Sequence, residues 1–159
     1  TLRRNPDIEG IIAASPALRP AFEPPTLKIK GGRLLYSILP SLTLNNELDL
    51  AGVSRDEAVI ASYKTDPLVH DRLSTRLVID LLDSGEWALE NAEQLVLPLL
   101  MLHGSDDRLT SHDASREFSE KTDNCSFYSF KGLYHELHNE PEKDQVFAVI
   151  LEWMKDWIA

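Results

Sequence analysis

Two apolar runs in the second half of the chain constrain its fold more than any other feature. Leu97-Pro98-Leu99-Leu100-Met101-Leu102 contains no polar position, so neither face of an extended segment here can be turned to water. Such a run predicts a strand inside a parallel sheet that is covered on both sides. Ser126-Phe127-Tyr128-Ser129-Phe130 predicts a second strand. Between them, residues 111–121 read as a helix with one polar face. After them, Pro141 suits a first helical turn, and Val146, Val149, Ile150, Trp153 and Trp157 form an apolar stripe. Strand, helix, strand, helix at this spacing implies parallel strands joined by right-handed crossovers. Gly10-Ile11-Ile12-Ala13-Ala14-Ser15, stopped by Pro16, predicts a further buried strand near the start. The fold class is therefore α/β, with about three parallel strands and flanking helices.

The middle of the chain reads differently. Pro16, Pro20, Pro24 and Pro25 make residues 16–32 an irregular linker. Residues 33–50 predict a short helix interrupted by Pro40, then loop. Ser54 followed by Glu57 has capping-box form and predicts a helix to about Tyr63. Ser74 starts another, with Leu77, Val78, Leu81, Leu82 and Leu89 at helical spacing and Gly85 positioned to break or kink it. The expected organisation is an α/β core over residues 1–20 and 93–159, with a mostly helical insertion over 21–92.

Composition narrows the function classes. The chain has 159 residues, 43% of them hydrophobic, which is enough for one domain with a real core. Its net charge of −10 argues against nucleic acid and anionic membrane surfaces as partners. The excess lies in residues 81–159, since residues 1–80 carry 10 basic and 10 acidic side chains. A single cysteine, Cys125, excludes an internal disulfide framework or a cysteine-based zinc site, and fits a reducing, cytoplasmic compartment. No apolar run approaches the roughly 18 residues of a membrane helix. The chain opens on Thr1 and enters an apolar run at Ile8, which reads as a start in mid-domain.

In parallel sheets, polar function collects at the carboxyl ends of the strands. Two loops leave there: His103-Gly104-Ser105-Asp106-Asp107-Arg108 and Lys131-Gly132-Leu133-Tyr134-His135-Glu136. An acid after one strand and a histidine after the next can meet side by side. Such a pair orients an imidazole and stabilises its cation, as a general base requires. On spacing, both Asp106 and Asp107 are candidates for the acid.

The wording of these loops carries a resemblance. LPLLMLHGSDDRLT and FKGLYHELHNEP resemble the acid and histidine segments of α/β-hydrolases of the monoacylglycerol lipase and lysophospholipase group. Residues 8–18 (IEGIIAASPAL) resemble the strand that follows the nucleophile helix in that group, and Asp66-Pro67-Leu68-Val69-His70 resembles part of its cap. The resemblance spans nearly the whole chain, in order. It implies the C-terminal part of an α/β-hydrolase sheet with a helical cap, Asp107 as the triad acid and His135 as the base. The order acid then histidine agrees with Ser…Asp/Glu…His. It also implies a serine on a G-x-S-x-G elbow, and no such motif occurs here. Ser15, followed by Pro16, and Ser105, in the acid loop, do not fit that elbow. The implied nucleophile lies in an absent N-terminal half, and the chain alone is expected to be inactive. The implied substrates are lipid carboxylic esters, with no cofactor.

The remaining candidates have structural readings. His135-Glu136-Leu137-His138 is one residue short of H-E-x-x-H, so no metal site is expected. His103 reads as structural, His138 as a support for the His135 loop or last helix, and Cys125 as an inert thiol. In the insertion, Leu35, Tyr36, Leu39 and His70 are candidates for touching substrate, with packing of the insertion on the core as their alternative role. Two other function classes stay open. One is a non-catalytic remnant or dimerising module, in which the unpaired edge of the first strand associates with a second copy. The other is a different activity on the same fold, such as a C–C hydrolase, haloperoxidase or aminopeptidase.

Overall fold

The computed structural model describes residues 2–4, 6–46 and 48–156. Three parallel strands form its centre: β1 (Ile11–Ala14), β4 (Leu99–Gly104) and β5 (Cys125–Phe130), in the spatial order β1-β4-β5. Ile11 pairs with Leu99 and Ala14 with Leu102, while Leu99 pairs with Cys125 and Gly104 with Phe130. Every residue of β4 is buried. Its alternating side chains feed two cores. Leu99 and Met101 pack with Leu18, Leu89, Ala114 and Phe118 on one face. Leu100 and Leu102 pack with Phe130, Leu133, Leu137 and Val146 on the other. Helix α4 (His112–Glu120) closes the first face, capped by Ser111, whose side chain accepts from the Ala114 amide. Helix α5 (Lys143–Met154) closes the second through Val146, Val149, Ile150 and Trp153. The expected stripe position Trp157 lies outside the described residues.

Between β1 and β4 run α1 (Thr26–Ile38), α2 (Glu57–Thr65) and α3 (Thr75–Glu90), with β2 (Thr43–Asn45) paired antiparallel to β3 (Arg72–Ser74). Several expectations are corrected here. Helix α1 starts inside the stretch read as an irregular linker, directly after Pro24-Pro25, where the fixed proline φ suits a helix entrance. The region read as loop after Pro40 contains β2, a three-residue strand exposed throughout, which leaves no periodicity to read. Helix α2 is capped by Asp56, whose carboxylate accepts from the Ala58 amide. Ser54 instead donates to the Asn139 carbonyl and accepts from the Asp56 amide. The strand read at 97–102 runs two residues later, at Leu99–Gly104.

Gly85 does not break α3, which is continuous from Thr75 to Glu90. A β-carbon there would sit 2.0 Å from the Leu18 carbonyl oxygen, so glycine lets the chain after β1 lie directly on the helix. Arg19, next to that contact, makes a two-pronged bond to Glu86 of α3 at 2.7 and 2.9 Å and also reaches Glu117 of α4.

A second tie joins the segment before α2 to the chain after β5. The Glu140 side chain is fully buried. One of its oxygens accepts from the Arg55 amide at 2.7 Å and the other from Arg55 Nε at 2.5 Å. Around it, the Glu136 amide donates to the Val53 carbonyl at 2.8 Å and Ser54 Oγ to the Asn139 carbonyl at 2.9 Å.

Two stability outcomes follow from these contacts. Gly85→Ala should destabilise the protein by about 2 kcal/mol in urea unfolding, because overpacking against backbone outweighs the gain in helix propensity. Gly31→Ala in α1, where an added β-carbon meets nothing within 4 Å, should be neutral or stabilising. Equal effects of the two would remove the close-approach argument. Arg55→Leu should cost about 3 kcal/mol by leaving the Glu140 carboxylate buried and unpaired, and Arg55→Leu with Glu140→Leu should recover much of that loss. A double variant no more stable than Arg55→Leu would count against the pairing.

Candidate active site

Strands β4 and β5 end side by side, with His103 opposite Ser129 and Gly104 opposite Phe130. The two polar loops therefore leave the same end of the sheet. A β-carbon on Gly104 would lie 2.2 Å from the Leu133 carbonyl oxygen and 2.5 Å from that of Tyr134. Only glycine allows the second loop to cross the end of β4 so closely. The crossing is fixed by Ser105 N donating to the Phe130 carbonyl at 2.8 Å and Asp106 N to the Leu133 carbonyl at 3.1 Å. Gly132, at φ 79°, supplies the left-handed turn that starts that loop.

This crossing brings Asp107 to His135. His135 Nδ1 lies 2.8 Å from Asp107 Oδ2. The Asp107 side chain is fully shielded from solvent, while that of His135 keeps 28% of its surface exposed. Asp107 Oδ1 accepts from the amides of Leu109 at 2.8 Å and Thr110 at 3.0 Å. Oδ2 also accepts from Thr110 Oγ1 at 2.9 Å and stands 3.1 Å from His103 Nε2. Burial pushes the Asp107 carboxyl up, but the donors from His103, His135, Thr110 and Leu109 outweigh it and hold the group well below the usual carboxylate range. Asp107 is thus a fixed anion on one nitrogen of His135. Among the described residues, the other nitrogen, Nε2, makes no hydrogen bond.

Asp106 is exposed and accepts from Ser105 Oγ at 2.6 Å, turned away from the histidine. Ser15 lies at the end of β1, almost fully buried and in the left-handed region at φ 45°. Its hydroxyl donates to the His135 carbonyl at 2.7 Å, and its amide to the Leu102 carbonyl at 2.8 Å. It anchors the backbone of the histidine loop from below.

The same loop is gripped from the other side. Tyr63 of α2 donates to Glu136, and Asn139 donates to the second Glu136 oxygen at 2.6 Å. The bond to Glu136, with burial, pushes the Tyr63 hydroxyl up to about 12. Arg108 lies 4.6 Å over the Tyr134 ring and donates to the Ala51 carbonyl at 2.6 Å. The contacts of Tyr63 with Glu136 and of Arg108 with Ala51 were not legible in the sequence, because they join residues 73 and 57 positions apart.

The other candidates are dispersed. Leu35 and Tyr36 are half-buried on α1, Leu39 is exposed at its end, and His70 is exposed before β3 with Nδ1 accepting from the Arg72 amide. None of the four is hydrogen-bonded to Asp107 or His135 among the described residues. His138 is exposed, and burial pushes the Cys125 thiol up to about 11. His103 is fully buried and belongs to the Asp107 cluster, a position its place at a strand end did not announce. Among the described residues, no group of three or more histidine, cysteine or acidic side chains is arranged to hold a metal ion. No helix among them is long and apolar enough to cross a membrane.

Comparison with known proteins meets this geometry from outside. The Hydrolase_4 family, described as serine aminopeptidase, S33, matches residues 1–142. Among solved structures, the monoacylglycerol lipase of Paleococcus ferrophilus superposes with a TM-score of 0.93 at 34% identity, over 99% of this chain and 62% of that one. The monoacylglycerol lipase of Mycolicibacterium smegmatis is 30% identical over 93% of this chain and 54% of its own length. Phospholipase YtpA of Bacillus subtilis is 32% identical over 98% of this chain and 61% of its own length. The chain thus spans little more than half the length of these two curated relatives, 54% and 61%. With the family model matched over most of its length, the chain belongs to the Hydrolase_4 family, and its fold is that of the C-terminal part of an α/β-hydrolase.

Proposed function

We propose that this chain is the acid-, base- and cap-bearing part of a serine hydrolase that cleaves carboxylic esters of lipids, of monoacylglycerol or lysophospholipid type. One observation carries the reading: a fully buried Asp107 carboxylate 2.8 Å from His135 Nδ1, with Nε2 left unbonded at the carboxyl end of a parallel sheet. In this reading a serine from a segment outside residues 1–159 stands at Nε2. His135 takes its proton as the hydroxyl attacks the acyl carbon, then gives that proton to the departing alcohol oxygen. Asp107 holds the imidazole in the Nδ1–H form and stabilises the imidazolium. Water repeats the sequence on the acyl-enzyme and releases the fatty acid. The names of the relatives support the substrate class.

Residues 21–92 serve in this reading as the cap over the core formed by 1–20 and 93–159. Leu35, Tyr36, Leu39 and His70 are its candidates for contact with the acyl chain or head group, consistent with the apolar lining usual for ligand pockets.

In the full-length enzyme, His135→Ala should lower kcat on a monoacylglycerol or short-chain ester by roughly 10⁴-fold or more, and Asp107→Asn by about 10⁴-fold. Asp106→Asn should stay near wild type. A fluorophosphonate should label a serine outside these 159 residues. Undiminished activity in His135→Ala would refute the assignment.

The open edge of β1 supports a further point. Among the described residues β1 pairs only with β4, and Ile12 is 40% exposed. An unpaired apolar edge is a template for another strand. We assign it to a parallel strand of the nucleophile-bearing segment; a second copy of this chain is the competing occupant. Light scattering should give a concentration-independent monomer when the two segments are together. A dimer abolished by Ile12→Lys under those conditions would favour the competing occupant.

A further inference from the structure

Asp107 Oδ2 serves two imidazoles. His135 Nδ1 stands 2.8 Å from it on the exposed side, and His103 Nε2 stands 3.1 Å from it on the buried side. The His103 ring is wholly enclosed. Its Nε2 also lies 3.2 Å from the Thr110 carbonyl, and its Nδ1 lies 2.7 Å from the Oγ of Ser115, which is itself fully buried. Thr110 Oγ1 also stands 3.4 Å from Nε2 but donates its proton to Asp107 Oδ2 at 2.9 Å, so the oxygens around Nε2 act as acceptors and this nitrogen holds the proton. Among the described residues Ser115 Oγ has no other hydrogen-bond partner than Nδ1, so the hydroxyl donates to it and Nδ1 is the bare nitrogen. The ring is thus neutral, and its tautomer is fixed by helix α4.

We infer that His103 is a positioning residue for the reaction: a neutral, buried donor that clamps the Asp107 carboxylate and the Thr110 turn so that Oδ2 faces His135. The inference rests on the reading of Asp107 and His135 as acid and base. Its physical content is a competition. Each donor on Oδ2 fixes the oxygen in space but draws on the same negative charge that stabilises the His135 imidazolium. Without His103, the carboxylate is less well aimed, so kcat falls. The charge left on Oδ2 is less shared, so it holds the His135 imidazolium more strongly.

The surrounding ionisable groups are engaged elsewhere. The His112 ring meets His103 edge-on at 5.7 Å between centroids, but its Nε2 is bonded to Ser129 Oγ at 2.7 Å and its other nitrogen faces Asp113. Glu136 is held by Tyr63 and Asn139, Glu140 by Arg55, and Arg108 lies over Tyr134.

The test uses the full-length enzyme. His103→Leu fills the volume without a donor, and His103→Gln keeps a neutral N–H. With His103→Leu, kcat should fall by about 10- to 100-fold with little change in KM. The acid limb of the pH profile of kcat/KM should move to higher pH. His103→Gln should restore most of both. A folded His103→Leu enzyme with wild-type kcat and an unmoved acid limb would overturn the inference. Nitrogen-15 spectra of the histidine-labelled wild type give a second measurement that needs no buried substitution. They should show His103 with one protonated and one bare ring nitrogen throughout the active pH range. A doubly protonated His103 ring there would equally overturn it. His135→Ala separates the two readings: if that variant is active, the acid–base assignment itself has failed. If it is dead while His103→Leu is unaffected, only the positioning role has.

Discussion

A carboxylate cannot be taken fully out of water without donors to replace the water, and the end of this sheet is arranged around that constraint. The Asp107 side chain has no exposed surface. Its oxygens are met by two backbone amides, the Thr110 hydroxyl and two histidines. These donors come from β4, from the turn after it and from the loop after β5. Ser15, at the end of β1, fixes the backbone of that last loop. All three strands therefore contribute to one charge. An isolated buried anion of this kind would neutralise itself by taking up a proton. With its full set of donors it stays ionised, and the His135 imidazole bonded to it keeps part of its surface exposed.

Glycine sets the distances at which this is possible. At Gly104 and Gly85 the absence of a side chain lets another backbone pass within the space a β-carbon would occupy. The first passage carries the histidine loop over the end of β4. The second seats the chain leaving β1 on α3, with Arg19 beside it bonded to both α3 and α4. The segment before α2 then closes on the far side of the histidine loop through Glu136 and Glu140. Chain from the insertion thereby becomes part of what holds His135, although among the described residues none of its side chains is hydrogen-bonded to the imidazole nitrogens.

The sequence discloses those parts of this design whose signal is local. β4 is legible because burial on both faces demands an apolar run, β5 because its aromatic residues suit a strand although it is largely exposed, and the helix start at Ser74 because such a start needs an acceptor within three residues. The acid and histidine loops are legible because parallel strands deliver their carboxyl ends together. Strands β2 and β3 are three residues long and largely exposed, so they carry no alternation. Gly85 misleads: helix propensity marks it as a weak point, while tertiary packing uses it as a contact. Ser54 has the spacing of a cap, yet Asp56 takes that role and Ser54 turns to the Asn139 carbonyl. His103 reads as a structural residue just after a strand because its partners, Ser115 and Asp107, come from different elements. What stays hidden in each case is a long-range contact made by a residue whose local pattern already has another explanation.

Ser15 shows why proximity alone does not make a nucleophile. It is a serine at the carboxyl end of a parallel strand, in a left-handed conformation, with its hydroxyl 2.7 Å from an atom of His135. That atom is the carbonyl oxygen, not a ring nitrogen. The hydroxyl proton is already donated, the side chain is nearly enclosed, and Pro16 follows where a helix would have to begin. An attacking serine must instead approach His135 Nε2, on the opposite side of the ring from Asp107, with its oxygen open to substrate. Among the described residues no serine stands there. The geometry thus separates two jobs that one residue type can do at a strand end. Holding the histidine loop calls for a buried, fully bonded hydroxyl, and attack on an ester calls for one that is exposed and bonded only to the base.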